Sequence, residues 1–328
     1  MSTVAQNRRA RRPQEFKPLV SVIVCAYSDE RLGQLRETIA SLRDQTYATG
    51  DIVVIVDHNP ALHEQLRPLT ADGVRVAPNS GDRGLADARN SGIALARGEI
   101  VAFIDDDARA DNGWLQRLVE CYRDPAVIAA GGRIEPVWEG GRKPAWLPDE
   151  FLWVVGCTYR GMPKRRRIMR NMIGCNMSFR SEVFASVGRF DTAIGRLANQ
   201  PLGGEETEIC IRALNHWPDK KIVYTPDAVV YHHASRSRQT LGYFARRCYF
   251  EGVSKVIVRR LWGAAGTSSE LNYLSRSLPR AIRRDVRNVI FLRDVPAALS
   301  RIGAIALGVG AVGAGFGAGM FQERGRRH

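Results

Sequence analysis

Three consecutive carboxylates, Asp105-Asp106-Asp107, close an apolar run at residues 99–104. Adjacent carboxylates repel one another unless a cation or hydrogen-bond donors compensate. Mg²⁺ or Mn²⁺ would do so, because hard divalent ions take oxygen ligands and often share them with substrate phosphates. Side chains alternate along an extended segment, so Asp105 and Asp107 face the same way there. By itself the triplet fits equally a solvated acidic turn that caps the next helix near Trp114. A second acidic group, Glu205-Glu206-Thr207-Glu208, supplies a general base or else only favours a helix N-terminus. His232 and His233 follow an apolar run at 228–231, and on a strand at most one of them faces a site. Asp57 ends another apolar run, and Tyr27 and Glu30 follow a third. Arg89 reads either as a phosphate contact that orients the acidic loop or as a helix-surface charge.

The elements that must position these groups are legible from hydrophobic period. Residues 19–25 and 51–56 form continuous runs rich in β-branched residues, as strands buried on both faces do. Residues 74–77 and 99–104 predict two more strands. Leu32, Leu35, Ile39 and Leu42 share the spacing of one helix face, as do Leu85, Ala88, Ile93 and Ala96. Strands and helices in this order predict βα units on a largely parallel sheet, which binds ligands beyond the carboxyl ends of its strands. The loops after Cys25, Val56 and Ile104 are therefore where chemistry belongs. The dinucleotide fingerprint G-x-G-x-x-G is absent after the first strand, as is the phosphate loop G-x-x-x-x-G-K-[ST].

Five segments, in order, resemble family 2 of the glycosyltransferases, inverting enzymes of the GT-A fold. They are SVIVCAYSDE (21–30), DIVVIVDHNP (51–60), GLADARNSGIALARGEIVAFIDDDA (84–108), GCNMSFRSEVFASVGRFD (174–191) and GGEETEICIRAL (203–214). The resemblance spans residues 19–233 and implies an α/β fold: a Rossmann-like mixed sheet flanked by helices. It further implies an Mg²⁺ or Mn²⁺ ion on Asp105 and Asp107, joined by His232. Asp106 would lie nearer the ribose. Tyr27, Glu30, Asp57 and Arg89 would join Asp105 and Asp106 around the nucleotide-diphospho-sugar, and Glu206 would be the catalytic base. Two positions depart from the family pattern: His58 stands where a second acid is usual, and the acidic pair reads Glu205-Glu206.

Charge places the chain. It has 328 residues and a net charge of +14, concentrated at the ends: residues 234–328 hold 17 basic against 5 acidic side chains. Residues 1–18 hold 5 against 1, which predicts a basic flexible tail with no export signal. A near-neutral body with basic ends points to an anionic partner. No zinc-finger, RNP or KH pattern is present, so the expected partner is an anionic membrane surface and not nucleic acid. The six scattered cysteines suit a reduced compartment. Residues 133–172 mix three Trp with the basic run Lys164–Arg167, which suits sugar faces, an anionic acceptor or a packed loop. Residues 234–300 predict a basic helical extension, with an amphipathic stretch at 240–262. Within 301–328, residues 302–321 carry no charge but seven glycines, and read as a membrane-crossing helix or a flexible tail. The functional expectation is transfer from a UDP-linked sugar to a glycan or polyprenyl-phosphate-linked acceptor at the cytoplasmic face of the cell membrane. The competing reading is a non-catalytic, membrane-associated sugar- or nucleotide-binding protein of the same fold. A homo-oligomer stays open.

Overall fold

A computed structural model describes residues 16–194, 203–263 and 273–325, with side chains through Phe321. Most of the N-terminal basic tail, residues 1–15, and the terminal Arg326 and Arg327 lie outside the described residues. The chain begins with β1 (Val20–Ala26), α1 (Leu32–Arg43), β2 (Asp51–Val56), α2 (Pro60–Leu66), β3 (Val74–Pro78), α3 (Leu85–Leu95) and β4 (Ile100–Asp105). All but α2 are elements the hydrophobic periods predict. The four strands pair in parallel, in register Ser21↔Asp51, Val24↔Ile104 and Ile52↔Val74. Their carboxyl ends therefore share one edge.

The sheet continues with strands that periodicity does not reveal, apart from the apolar run at 228–231 within the last: β5 (Ala108–Ala110), β6 (Val127–Trp138), β7 (Arg167–Met169), β8 (Asn176–Arg180) and β9 (Lys221–Ala234). The order is β3-β2-β1-β4-β8-β6-β9-β5, with β7 also on β9. β8 pairs antiparallel with both β4 and β6, so the sheet is mixed beyond its parallel half. Its two faces are both covered, as strands without hydrophobic alternation require. Val22 and Val24 face α1 and α4 (Trp114–Cys121), where Leu35, Ile39 and Leu118 are buried. Ile23, Val53 and Phe103 face the other core with Phe179, Phe184 and Ile209, from β8, α5 (Ser181–Val187) and α6 (Glu205–His216).

Among the described residues, three α-helices follow: α7 (Leu241–Trp262), α8 (Leu278–Ile290) and α9 (Val295–Gly325). Residues 264–272 are outside the described set. Residues 241–262 form one helix, a side of which packs inside the protein. Phe244, Cys248, Gly252 and Val256, four residues apart, are buried on one side of α7. Gly252 meets the Val312 carbonyl of α9, while Gly315 and Gly319 of α9 meet Tyr249 and Val256. Small residues let the two backbones approach closely, so α9 occupies the side of α7 that would otherwise meet lipid. Below them, Phe151 of the 3-10 stretch Asp149–Val155 packs against Phe244. α8 is tied to the same stretch by Arg284 on buried Glu150 (3.0 Å), and fully buried Asp285 takes Arg284 and Arg301.

Glycine-mediated packing makes a direct prediction. A Cβ at Gly252 would collide with the α9 backbone, whereas Gly313 has open space around it. Gly252→Ala should cost about 1–3 kcal/mol through overpacking. Gly313→Ala should raise stability by up to about 1 kcal/mol through helix propensity. Thermal unfolding of the two variants in detergent measures both, and equal effects would refute the packing assignment.

Candidate active site

A cleft of about 720 Å³ opens at the carboxyl ends of β1, β2 and β4. Tyr27, Asp57, Asp105, Asp106 and Asp107 line it, as the sequence predicts. Tyr27 stands more than half exposed at its mouth. Asp57 is oriented from below: Asn79 Nδ2 donates to its Oδ1 (2.7 Å) and the Gly84 N–H to its Oδ2 (3.0 Å). Glu30 does not line the cleft; it is exposed on the 3-10 turn Asp29–Arg31. Its neighbour Arg31 turns inward instead, because the side chains of a tight turn diverge.

The acidic triplet is compensated from four directions. Arg31 Nη1 reaches Asp106 Oδ1 (3.0 Å) and Asp107 Oδ2 (3.1 Å). His232 Nε2 lies 3.1 Å from Asp107 Oδ1 and 3.8 Å from Asp105 Oδ2. Arg238 Nη2 is 3.4 Å from Asp107 Oδ2, and Arg89 Nη2 is 3.9 Å from Asp105. β5 brings His232 there: Ala108 pairs with His232 in the ladder, and the His233 N–H donates to the Asp107 carbonyl (2.9 Å). His233 points the opposite way and meets Gln34 Nε2 through its Nδ1 (2.9 Å).

Protonation follows from these contacts. Burial opposes a charged Asp107, but His232, Arg238 and Arg31 outweigh it and hold the carboxyl well below its usual range. Asp106 shifts the other way, raised by burial and by Asp107 beside it, and its Oδ2 has no hydrogen-bond partner. Burial also opposes a charged His232, yet Asp107 raises the ring to about 10.

Asp105, Cys175 and His232 bring ligand atoms within 4.8 Å of one another, with Asp107 alongside. Burial raises the Cys175 thiol well above its ordinary value, and a soft sulfur suits a hard divalent ion less well than oxygen does. Carboxylate oxygens and an imidazole remain, and they fit Mg²⁺ or Mn²⁺.

Arg89 is neither a surface charge nor part of the cleft lining. It is buried under the cleft with Nη1 2.9 Å from Glu205 Oε1 and Nη2 donating to the Gly174 carbonyl (3.4 Å). It thereby joins the start of α6 to Asp105. In the acid-rich first turn of α6, Glu205 is engaged by Arg89 and Glu208 by Arg212 (2.6 Å). Glu206 makes no ion pair among the described residues and is half-buried. Burial and the neighbouring Glu205 raise its carboxyl above the ordinary 4.5. Glu206 does not line the cleft among the described residues, and residues 195–202, just ahead of it, lie outside that set.

Sequence reasoning missed the basic wall. Arg31, Arg83, Arg238, Arg246 and Arg247 all line the cleft, the last three from beyond residue 233. Their only linear signal is the charge surplus of the C-terminal third, which does not say which way the arginines face.

A parallel half-sheet with an acidic strand end, closed by an antiparallel half that returns a histidine, is the GT-A architecture of nucleotide-sugar transferases. The profile of glycosyl transferase family 2 matches residues 21–188. The chain is 35% identical over 249 residues to a glucosyl-dolichyl phosphate glucuronosyltransferase of Haloferax volcanii, covering 75% of this chain and 79% of the relative. It therefore belongs to glycosyl transferase family 2 and is a glycosyltransferase. Its fold matches the Pyrobaculum calidifontis mannosyltransferase PcManGT, solved with GDP-Man and Mn²⁺. That match has a TM-score of 0.59 and 17% identity, over 94% of this chain and 88% of that one. It also matches GalNAc-T7, solved with UDP, GalNAc and Mn²⁺, with a TM-score of 0.52 and 20% identity, over 74% of this chain and 51% of that one.

The Arg89–Glu205 pair yields a stability test. Removing one partner of a buried ion pair strands the other charge and costs about 3–5 kcal/mol. Arg89→Met should lose about that much in urea unfolding, and adding Glu205→Met should recover a large part of it. No recovery would mean that Arg89 acts through packing alone.

Proposed function

We propose that the protein transfers a sugar, with inversion, from a nucleotide-diphospho-sugar to a hydroxyl of a polyprenyl-phosphate-linked glycan. The observation that carries this reading is the convergence of Asp105, Asp107 and His232 at the cleft, with Glu206 left without an ion-pair partner on the helix that Arg89 ties to Asp105. The acceptor class follows the name of the Haloferax relative. That name also makes UDP-glucuronate the first donor to screen, and the arginine-rich wall suits a donor with an additional carboxylate. The apolar C-terminal helix, Val295–Phe321, is long and apolar enough to cross a membrane. With the lipid-linked acceptor class, it supports a location at the cytoplasmic face of the cell membrane, where sugar nucleotides are supplied.

Bound Mg²⁺ or Mn²⁺ would neutralise charge on the departing diphosphate. Asp105, Asp107 and His232 would hold the ion, and His232 must shed its proton to do so, which couples affinity to pH. Asp57, fixed by Asn79 and Gly84, orients the nucleoside. Arg83 and Arg238 face the diphosphate as it leaves. Glu206 takes the acceptor proton as the hydroxyl attacks from the face opposite the leaving group. A raised carboxyl pKa suits that task, because a base close to working pH accepts a proton with more driving force.

Asp107→Asn should keep the fold and abolish most metal-dependent nucleotide release. A Mn²⁺ titration checks this, and wild-type turnover at saturating Mn²⁺ would remove Asp107 from the metal site.

Glu206→Gln should leave donor affinity unchanged while transfer falls by about 10²-fold or more. The base works only when deprotonated and its pKa is raised, so wild-type rate should fall with decreasing pH in a range above the ordinary 4.5. Glu206→Gln should erase that acid limb. Parallel losses in donor binding and transfer would make Glu206 a donor or structural residue.

A further inference from the structure

Four arginines of the α8–α9 elbow, Arg280, Arg283, Arg287 and Arg293, line a groove of about 430 Å³ together with Phe291. Among the described residues none of the four has an ion-pair partner. The nearby Asp285 is fully buried and already holds Arg284 and Arg301. Uncompensated like charges at this density call for an anion.

The groove adjoins the most exposed apolar cluster of the chain. Ile290, Phe291 and Leu292 are 67%, 61% and 84% exposed. Leu292 holds a left-handed backbone (φ 54°), which side-chain-bearing residues seldom adopt. On α8, Ile282 and Val286 extend the same exposed stripe toward Ile290, four residues apart. An apolar stripe flanked by arginines, opposite a face clamped to the protein, is the pattern of a helix lying in a membrane interface.

The seating of α9 decides how the membrane is met. Gly308 packs on Phe151 and Phe244, and Gly315 and Gly319 pack on α7, whose Arg246 and Arg247 line the catalytic cleft. Much of the rest of α9 is exposed, including Leu307, Val309, Gly310, Gly313, Met320 and Phe321. A helix seated on the body along one side, at Gly308, Gly315 and Gly319, cannot be surrounded by lipid on every side.

Building on the membrane location proposed above, we infer that the elbow docks on an anionic phospholipid bilayer. The four arginines meet headgroup phosphates, Ile290, Phe291 and Leu292 enter the acyl boundary, and α9 lies along the surface without crossing it. This places the cleft wall formed by α7 one helix layer from the lipid, within reach of a lipid-linked acceptor.

The test uses full-length protein and sealed vesicles of phosphatidylcholine with or without phosphatidylglycerol. Each arginine near an anionic surface contributes about fivefold in partitioning. Arg283→Gln/Arg287→Gln should therefore weaken binding to phosphatidylglycerol vesicles about 25-fold and leave binding to pure phosphatidylcholine unchanged. Phe291→Ser/Leu292→Ser should weaken both. Protease added outside the vesicles should remove a C-terminal tag completely, because both ends of α9 lie on one side. Undiminished binding of the double arginine variant would refute the headgroup site, and a protected tag would refute the in-plane arrangement. Both double variants should release nucleotide at the wild-type rate in detergent. Wild-type protein that bound vesicles as described yet transferred no sugar would refute the function proposed above and leave the membrane surface standing.

Discussion

Two buried carboxylates next to a third, at the end of one strand, form the arrangement on which the rest of the molecule depends. Asp106 and Asp107 are almost wholly removed from solvent, and isolated charges in such a setting are prohibitively costly. The chain answers with cationic groups from separate elements. Arg31 comes from the first loop, Arg89 from α3, His232 from β9 and Arg238 from the segment after it. Each helps only because the sheet delivers it within about 4 Å, where Coulomb attraction in a low dielectric is strong. The three-residue strand β5 is small, yet its pairing with β9 sets the His232–Asp107 contact.

This arrangement also explains why the C-terminal third is part of the enzyme. Arg238, Arg246 and Arg247 form one wall of the cleft. α7 can aim those arginines inward because its other side is packed by α9, with glycines at the crossing. Buried Glu150 and Asp285 fasten α8 to the same region. Charge that composition alone would assign wholly to a membrane is thus divided. Part lines the cleft, and part, on α8 and the elbow, faces outward.

The ionisation pattern separates the acidic residues by task. Asp107, surrounded by cations, stays charged. Glu206, beside another carboxylate and half-buried, is held closer to neutrality. Glu205 and Glu208 each have an arginine. Three acids in one helical turn therefore do different things, and their partners distinguish them.

The sequence by itself determined the parallel half of the sheet, since buried strands and amphipathic helices are written in local hydrophobic period. It also marked Asp57 and the Asp105–Asp107 triplet, because they end such runs. The family resemblance singled out Glu206. Tertiary structure decided what local pattern cannot carry. It placed Glu30 outside the cleft and Arg31 within it, buried Arg89 beneath the site, and turned arginines of α7 toward the cleft. β5, β7 and the pairing of β6 with β9 were equally hidden, because their partners lie up to about 120 residues apart and a three-residue strand has no period to read. A residue's type limits the chemistry open to it; which residue faces which is fixed by contacts between segments distant in the chain.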